Sequence, residues 1–218
     1  MNVDKTLPHD ELNLQQVTQF LNLNYQKLVK EGQVRQLFET GVTKALPVKI
    51  QTRGPGGVPV DLTTTARLVV APNREGNPEV QIVVKNEGMQ LDRYRDIDLH
   101  PEQQQELLDG KTLVVRDRSE REHIIKFDRE LNRVGGMKKS AFLAPEQVGS
   151  SQTGYAKLDS RQQAELKRGN AIEVEVRGTP VKVQLDPIER RLHLSEIPRQ
   201  SLDVRPERPR KINPGPSR

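Results

Sequence analysis

Four histidines are the first residues to weigh as metal ligands or bases: His9, His100, His123 and His193. No two stand at i, i+3 or i+4, the spacing that sets two imidazoles on one helix face, and no cysteine completes a set. Metal binding is therefore not expected. His123 and His193, both in strand-like stretches, read as surface or sheet-edge residues. The segment "DRYRDID" (Asp92–Asp98) offers three carboxylates for acid–base work, but Arg93 and Arg95 are interleaved with them. It reads as solvated and self-paired, with pairing to residues distant in sequence left open. "GPGG" (Gly54–Gly57) lacks the Gly-Lys-Ser/Thr ending of a phosphate loop and reads as a tight turn. No Ser stands in a Gly-x-Ser-x-Gly elbow. No catalytic residue, metal or cofactor is expected, and the chain reads as a non-enzyme.

Residues able to meet nucleic acid lie at the two ends. "QQVTQFLNLNYQKLVKEGQV" reads as helix, short turn, helix and closing glycine, an order that resembles a helix-turn-helix of excisionase type. Asn22, Asn24, Gln26, Lys27 and Lys30 are of the types that reach base edges or phosphates. The same pattern serves any two helices packed on a sheet. Of the net charge of +5, residues 199–218 hold +4 and residues 1–198 only +1. Arg205, Arg208, Arg210 and Lys211 in that tail can each neutralise a phosphate. Four such contacts imply a log–log salt slope of about −3.6 on duplex DNA.

The elements that would position these residues follow from composition and period. Hydrophobic residues make up 33% and aromatics 3%, so each core must be small and built from Leu, Val and Ile. Charged residues at 30%, with 15 Pro, point to an unfolded portion. Residues 11–40 have helical spacing and read as two or three short helices closed by Gly32 and Gly41. "LPVKIQ", "VDLTTTARLVVAP" and "PEVQIVVKN", with a hairpin at "NREGN", read as three or four antiparallel strands over 47–87. "DLHPEQQQELLDGKTL" (98–113) then recurs as "KLDSRQQAELKRGNAI" (157–172). Leu99, Leu107 and Gly110 match Leu158, Leu166 and Gly169 at an offset of 59. Beyond a hairpin, Asp128 matches Asp186 at 58, a change that a hairpin tip tolerates. Each copy reads as a helix, capped in the second by Asp159 or Ser160, and a three-stranded meander. Ile172, Val174, Val176, Val181, Val183 and Leu185 face inward.

The expected fold class is α+β: short N-terminal helices, an antiparallel sheet, two repeated helix-plus-meander units and a disordered C-terminal tail. The expected boundaries are a flexible N-terminus (1–10), the helical segment plus antiparallel β domain (11–97), the first unit (98–137), a Gly- and Ser-containing linker (138–156), the second unit (157–198) and the basic tail (199–218). "MNVDKTLPHDELNL" has no apolar stretch after a basic start, and no apolar run approaches the roughly 20 residues that span a bilayer. No signal peptide and no membrane partner are expected, and the cytoplasm is the expected compartment.

Taken together, "YQKLVKEGQVRQLFETG…LPVKI", "ARLVV…EVQIVV" and the closing "L-x3-Q-Q-x2-L-x2-G…VKVQLDPIERRLHL" resemble the paired domains of unknown function of bacterial conjugative-transposon proteins. The likeness covers roughly residues 11–197. In that family the domains occur alone or ahead of a type IA topoisomerase, for which 218 residues leave no room. The resemblance implies an accessory or interaction module of a mobile genetic element, with no catalytic residues to carry over. A protein partner is the first expectation and DNA the alternative. Oligomeric state is not legible.

Overall fold

The computed structural model of the chain describes residues 13–53 and 55–197. Helices α1 (Leu14–Phe20), α2 (Tyr25–Lys30) and α3 (Gln33–Thr40) precede an antiparallel sheet of β1 (Leu46–Arg53), β2 (Pro59–Pro72) and β3 (Pro78–Val84). Helices this short do not persist alone in water, so packing must hold them. Leu14, Val17, Leu21, Leu28, Val34 and Leu37 bury against Leu46, Val48, Ala66, Leu68 and Val80. The pairs Leu46↔Ala66, Val48↔Thr64 and Leu68↔Ile82 place those strand residues on one face. The pair Arg67↔Val83, with Val69, belongs to the opposite face, away from the helices. "GPGG" lies in the β1–β2 connection and "NREGN" in the β2–β3 turn, as expected. In the latter, Asn73 Oδ1 accepts from the Glu75 and Asn77 amides at 3.0 and 2.9 Å.

The doubled sequence has a local physical meaning. The first segment runs β4 (Arg93–Tyr94), β5 (Ile97–Asp98), α4 (Pro101–Leu108), β6 (Leu113–Arg116), β7 (Glu122–Asp128) and β8 (Arg133–Lys138). The second runs β9 (Gln147–Ser150), β10 (Gly154–Lys157), α5 (Ser160–Lys167), β11 (Ile172–Val176), β12 (Thr179–Asp186) and β13 (Arg191–Glu196). The first Gln of each pair reaches back to the N-cap amide: Gln103 Oε1 accepts from His100 N–H, and Gln162 Oε1 from Asp159 N–H, both at 3.0 Å. The second Gln donates to the carbonyl before the cap, Gln104 to Leu99 at 2.8 Å and Gln163 to Leu158 at 3.3 Å. Asp159, rather than Ser160, is the cap of α5, accepting from Gln162 N–H at 2.7 Å.

The paired aspartates do one job twice. Asp128 Oδ1 accepts from the Glu130 and Leu131 amides at 3.0 and 3.3 Å, and Asp186 Oδ1 from the Ile188 and Glu189 amides at 2.8 and 3.0 Å. Each thereby closes the last hairpin of its meander. Leu107 and Leu166 are fully buried, each in the core of its own segment. A smaller cluster of Ile124, Met137 and Leu185, flanked by Val114, Phe142 and Leu192, joins the two segments.

Three expectations change. Residues 138–156 are not a bare linker, because they hold β9 and most of the β9–β10 hairpin. Val148 is buried there, and the turn is closed by a 2.8 Å contact between the Ser150 and Thr153 hydroxyls, a short-range bond that composition conceals. Gly135 and Gly136 belong to β8; a Cβ at Gly136 would lie 2.4 Å from the Ile124 carbonyl oxygen. "DRYRDID" is not wholly solvated. Arg93 and Asp98 pair at 3.2 Å, but Tyr94 and Ile97 enter the core that holds Leu99 and Leu107. That core therefore starts ahead of the expected boundary at residue 97. His123 is not at the surface, being 2% exposed on the central strand of its sheet. The flexible N-terminus (1–10) and the tail (199–218) lie outside the described residues.

Gly110 and Gly169 both end their helices in the left-handed conformation, with φ of 83 and 82. Their surroundings differ. A Cβ at Gly110 meets nothing within 4 Å, whereas one at Gly169 would lie 2.8 Å from Thr112 Cγ2. Gly110→Ala is expected to cost about 1 kcal/mol, from backbone strain alone. Gly169→Ala is expected to cost distinctly more, because it also disturbs the packing of one segment on the other. Denaturant melts of the two variants check this ordering.

Candidate functional site

Arg67 sits at mid-strand in β2 on the face turned from the helices, and it is buried with its partner Asp128. Its Nε and Nη2 lie 2.8 and 3.4 Å from Asp128 Oδ2 and Oδ1. Nη2 also meets Glu130 Oε2 at 2.6 Å, and Nη1 donates to the Thr43 carbonyl at 3.2 Å. Burial opposes this charge. Asp128, Glu130 and Glu189 outweigh it and hold the Arg67 pKa above the ordinary arginine value. The guanidinium thus ties the first sheet to the closing hairpin of the first meander.

Beside this knot lies a cavity of about 280 Å³. Its apolar wall includes Val69 and Val83 from the first sheet, Leu131 and Val134 from the first meander and Ile188 from the second. Five arginines line it: Arg67, Arg93, Arg95, Arg133 and Arg190. Asp128 is its one acidic lining residue. Arg67 and Arg93 are paired with carboxylates; Arg95, Arg133 and Arg190 make no ion pair among the described residues. The Arg95 guanidinium lies 5.4 Å from the centre of the Tyr94 ring. The Tyr94 hydroxyl is buried close to Arg95 and Arg190. Burial raises the phenol pKa, and Arg95 and Arg190 work against that rise.

A second buried polar group lies at the β6–β7 hairpin. Asp117 accepts from the Ser119 and Arg121 amides at 2.9 and 3.0 Å and from the Arg121 side chain at 2.8 Å, and it lies 3.2 Å from His123 Nε2. Burial pushes this carboxyl up, but the bonds from Arg121, His123 and Ser119 dominate and hold it well below the usual carboxylate range. The His123 ring packs edge-on to Tyr94, with centroids 5.7 Å apart. Enclosed in this way, the pair braces the hairpin.

The residues singled out in the sequence are dispersed. Lys27 and Lys30 are exposed on α2, a helix of six residues, where Lys27 pairs with Glu31 at 3.7 Å. Arg205, Arg208, Arg210, Lys211 and His9 lie outside the described residues. Among the described residues no three His, Cys, Asp or Glu are grouped to hold a metal ion, and no helix is long and apolar enough to cross a membrane. Leu99, Leu158, Leu107 and Leu166 are core residues, and Gly110 and Gly169 are helix stops. Of the residues chosen in the sequence, only Asp128 reaches the cavity. The arginines around it were missed. In the sequence match at an offset of 58, Arg190 stands where the first segment has Asn132, and the structure places both in the left-handed conformation with φ of 54. No known protein-family model matches the chain, and no curated protein or solved structure matches it.

Replacing Arg67 with Met leaves Asp128 buried and unpaired, at an expected cost of about 3–5 kcal/mol in a denaturant melt. Adding Asp128→Asn retains the turn-closing oxygen and removes the stranded charge, so the double variant is expected to be the more stable of the two. Asp117 makes a separate contribution. Its folded pKa lies below the unfolded value, so its stabilisation is full above the ordinary carboxylate range and is lost as pH falls below about 4. The stability gap between wild type and Asp117→Asn should therefore narrow from pH 4 to pH 2 in parallel melts.

Proposed function

We propose that the chain is a non-catalytic interaction module of a mobile genetic element, in the conjugative-transposon setting implied by the sequence resemblance, and that it engages a protein partner. The supporting observation is an uncovered extension of the first sheet. The helices bury Leu46 and Val48, and beyond them the β1–β2 ribbon runs on past Ile50↔Leu62 and Thr52↔Val60. Ile50, Leu62 and Val60 continue the stripe that the helices bury farther back, because they have the same strand parity. Val58 is 61% exposed, Leu62 48% and Val60 45%. A two-stranded ribbon is marginal by itself, and adjoining uncovered apolar side chains suit a partner's surface.

In this reading the two helix–meander segments are copies of one unit, related by the shared roles of their Gln pairs, aspartates and glycines. They carry the ribbon; the chemistry of binding lies in the ribbon's apolar face.

The DNA-binding alternative rests on α2, whose exposed Gln26, Lys27 and Lys30 are of types suited to nucleic acid. One set of variants separates the two. Val60→Asp/Leu62→Asp alters exposed positions, so its melting temperature should stay within about 0.5 kcal/mol of wild type in stability. Crosslinked capture from cells carrying the element should lose its specific protein partners with this variant and keep them with Lys27→Ala/Lys30→Ala. Duplex DNA binding that survives deletion of residues 199–218 and is lost with the lysine variant would instead establish the α2 reading.

A further inference from the structure

The cavity described above combines features that structural packing alone does not account for. Arg190 is half-buried, and no carboxylate stands against it. Burial lowers its pKa; Tyr94 works against that fall, and the neighbouring Arg95 adds to it. Its guanidinium reaches the end of α3, where a Cβ at Gly41 would lie 2.7 Å from Arg190 Nη1. Arg133 and Arg95 line the same space without acidic partners. Arg95 is exposed and Arg133 and Arg190 are half-buried, so three like charges without ion pairs converge on one partly enclosed space, an arrangement that an anion would relieve. Arg95 and Arg190 also sit at left-handed turn positions, with φ of 56 and 54, where Asn or Gly would cost less. Arg177 shares that conformation outside the cavity (φ 50) and likewise makes no ion pair among the described residues; what sets Arg95 and Arg190 apart is that, with Arg133, they line one space. The buried Tyr94 hydroxyl lines the same space beside Arg95 and Arg190.

We propose that this cavity binds a small oxyanion of charge −2 or greater, a phosphate monoester or a polycarboxylate, held by Arg95, Arg133 and Arg190. The guanidinium fork matches both head groups in a bidentate manner. The Val69, Val83 and Ile188 wall takes the uncharged remainder of the ligand. The volume suits a small molecule and excludes a folded macromolecule. Because the lining residues come from the first sheet and both meanders, the bound anion would clamp three parts of the chain together. This goes beyond the partner-binding ribbon, which lies on the helix side of the first sheet.

The test uses the full chain in calorimetric titrations at constant ionic strength, with phenyl phosphate, inorganic phosphate, citrate and a short duplex DNA as probes. The wild type should bind phenyl phosphate or citrate one to one, and phenyl phosphate more tightly than inorganic phosphate because of the apolar wall. Arg190→Met and Arg133→Met should each weaken binding by about tenfold or more. Arg118→Met, an equal charge loss at an exposed turn residue, should leave binding unchanged. Thermal melts without ligand keep the result interpretable. Arg190→Met should melt no lower than wild type, since it removes an uncompensated charge, and it should lose the anion-induced rise in melting temperature. Absence of binding by every small probe overturns the proposal. So does an equal loss in Arg118→Met, which would mean general charge attraction. Arg190-dependent binding of the duplex alone also overturns it, in favour of a nucleic-acid backbone contact.

Discussion

A single guanidinium, that of Arg67, is in direct contact with both the loop leading into the first sheet and the closing turn of the first meander. It satisfies Thr43, Asp128 and Glu130 together. Its position imposes a constraint on everything around it. A charge buried at mid-sheet must be met by charge delivered from elsewhere, so the Asp128 hairpin has to arrive at one place and in one orientation. Asp128 answers two demands, closing its own turn with Oδ1 and meeting Arg67 chiefly with Oδ2. Its counterpart Asp186 closes the equivalent turn but meets Lys126 at 3.4 Å, a longer and more exposed pairing. The two turns are alike in backbone and differ in what they anchor.

That difference shapes the surroundings of the cavity. The first sheet carries helices on one face and, on the other, the arginine knot and the cavity wall. The two faces have opposite solutions to burial. The helix side is closed mainly by apolar packing, with Asn13 Oδ1 accepting from the Val80 amide at 2.9 Å. The other side is closed by charge, and the closure is incomplete: three arginines are left facing a space shared by three parts of the chain. The ribbon beyond the helices is a second place where burial stops short, there with apolar side chains left over instead of cations.

Much of this was legible in the chain and some was not, for identifiable reasons. The three helices, the hairpins at Gly54–Gly57 and Asn73–Asn77, and the α5 meander could be read because their signals are local: strict alternation in "IEVEV", a capping aspartate, a glycine after the last apolar helix residue. The β9–β10 hairpin was hidden because glycine and serine composition outweighed one buried valine. His123 was misplaced because its strand is central, and nothing in "REHII" says which strands will flank it. The cavity arginines were hidden for a deeper reason. Arg93, Arg95, Arg133 and Arg190 lie in three separate turns or strands, and only the fold brings them together. The doubled aspartates show the limit from the other side: their turn-closing role could be inferred from the repetition, but the partnership of one of them with Arg67 could not.

Among the described residues, every sheet is built only from strands that follow one another in the chain, and no strand crosses from one sheet into another. Contacts between near neighbours close small loops at low entropic cost, which favours rapid, piecewise formation. Each hairpin and meander can gain its native hydrogen bonds before it has met the others. Joining them is a separate matter that draws on contacts of long sequence separation: Arg67 with Asp128, the Asn86 amide with the Leu131 carbonyl, Lys126 with Asp186, and the small cluster of Ile124, Met137 and Leu185. A chain arranged in this way opens at its joints more readily than within its parts. Arg67 and the cavity beside it lie at those joints rather than inside any one piece.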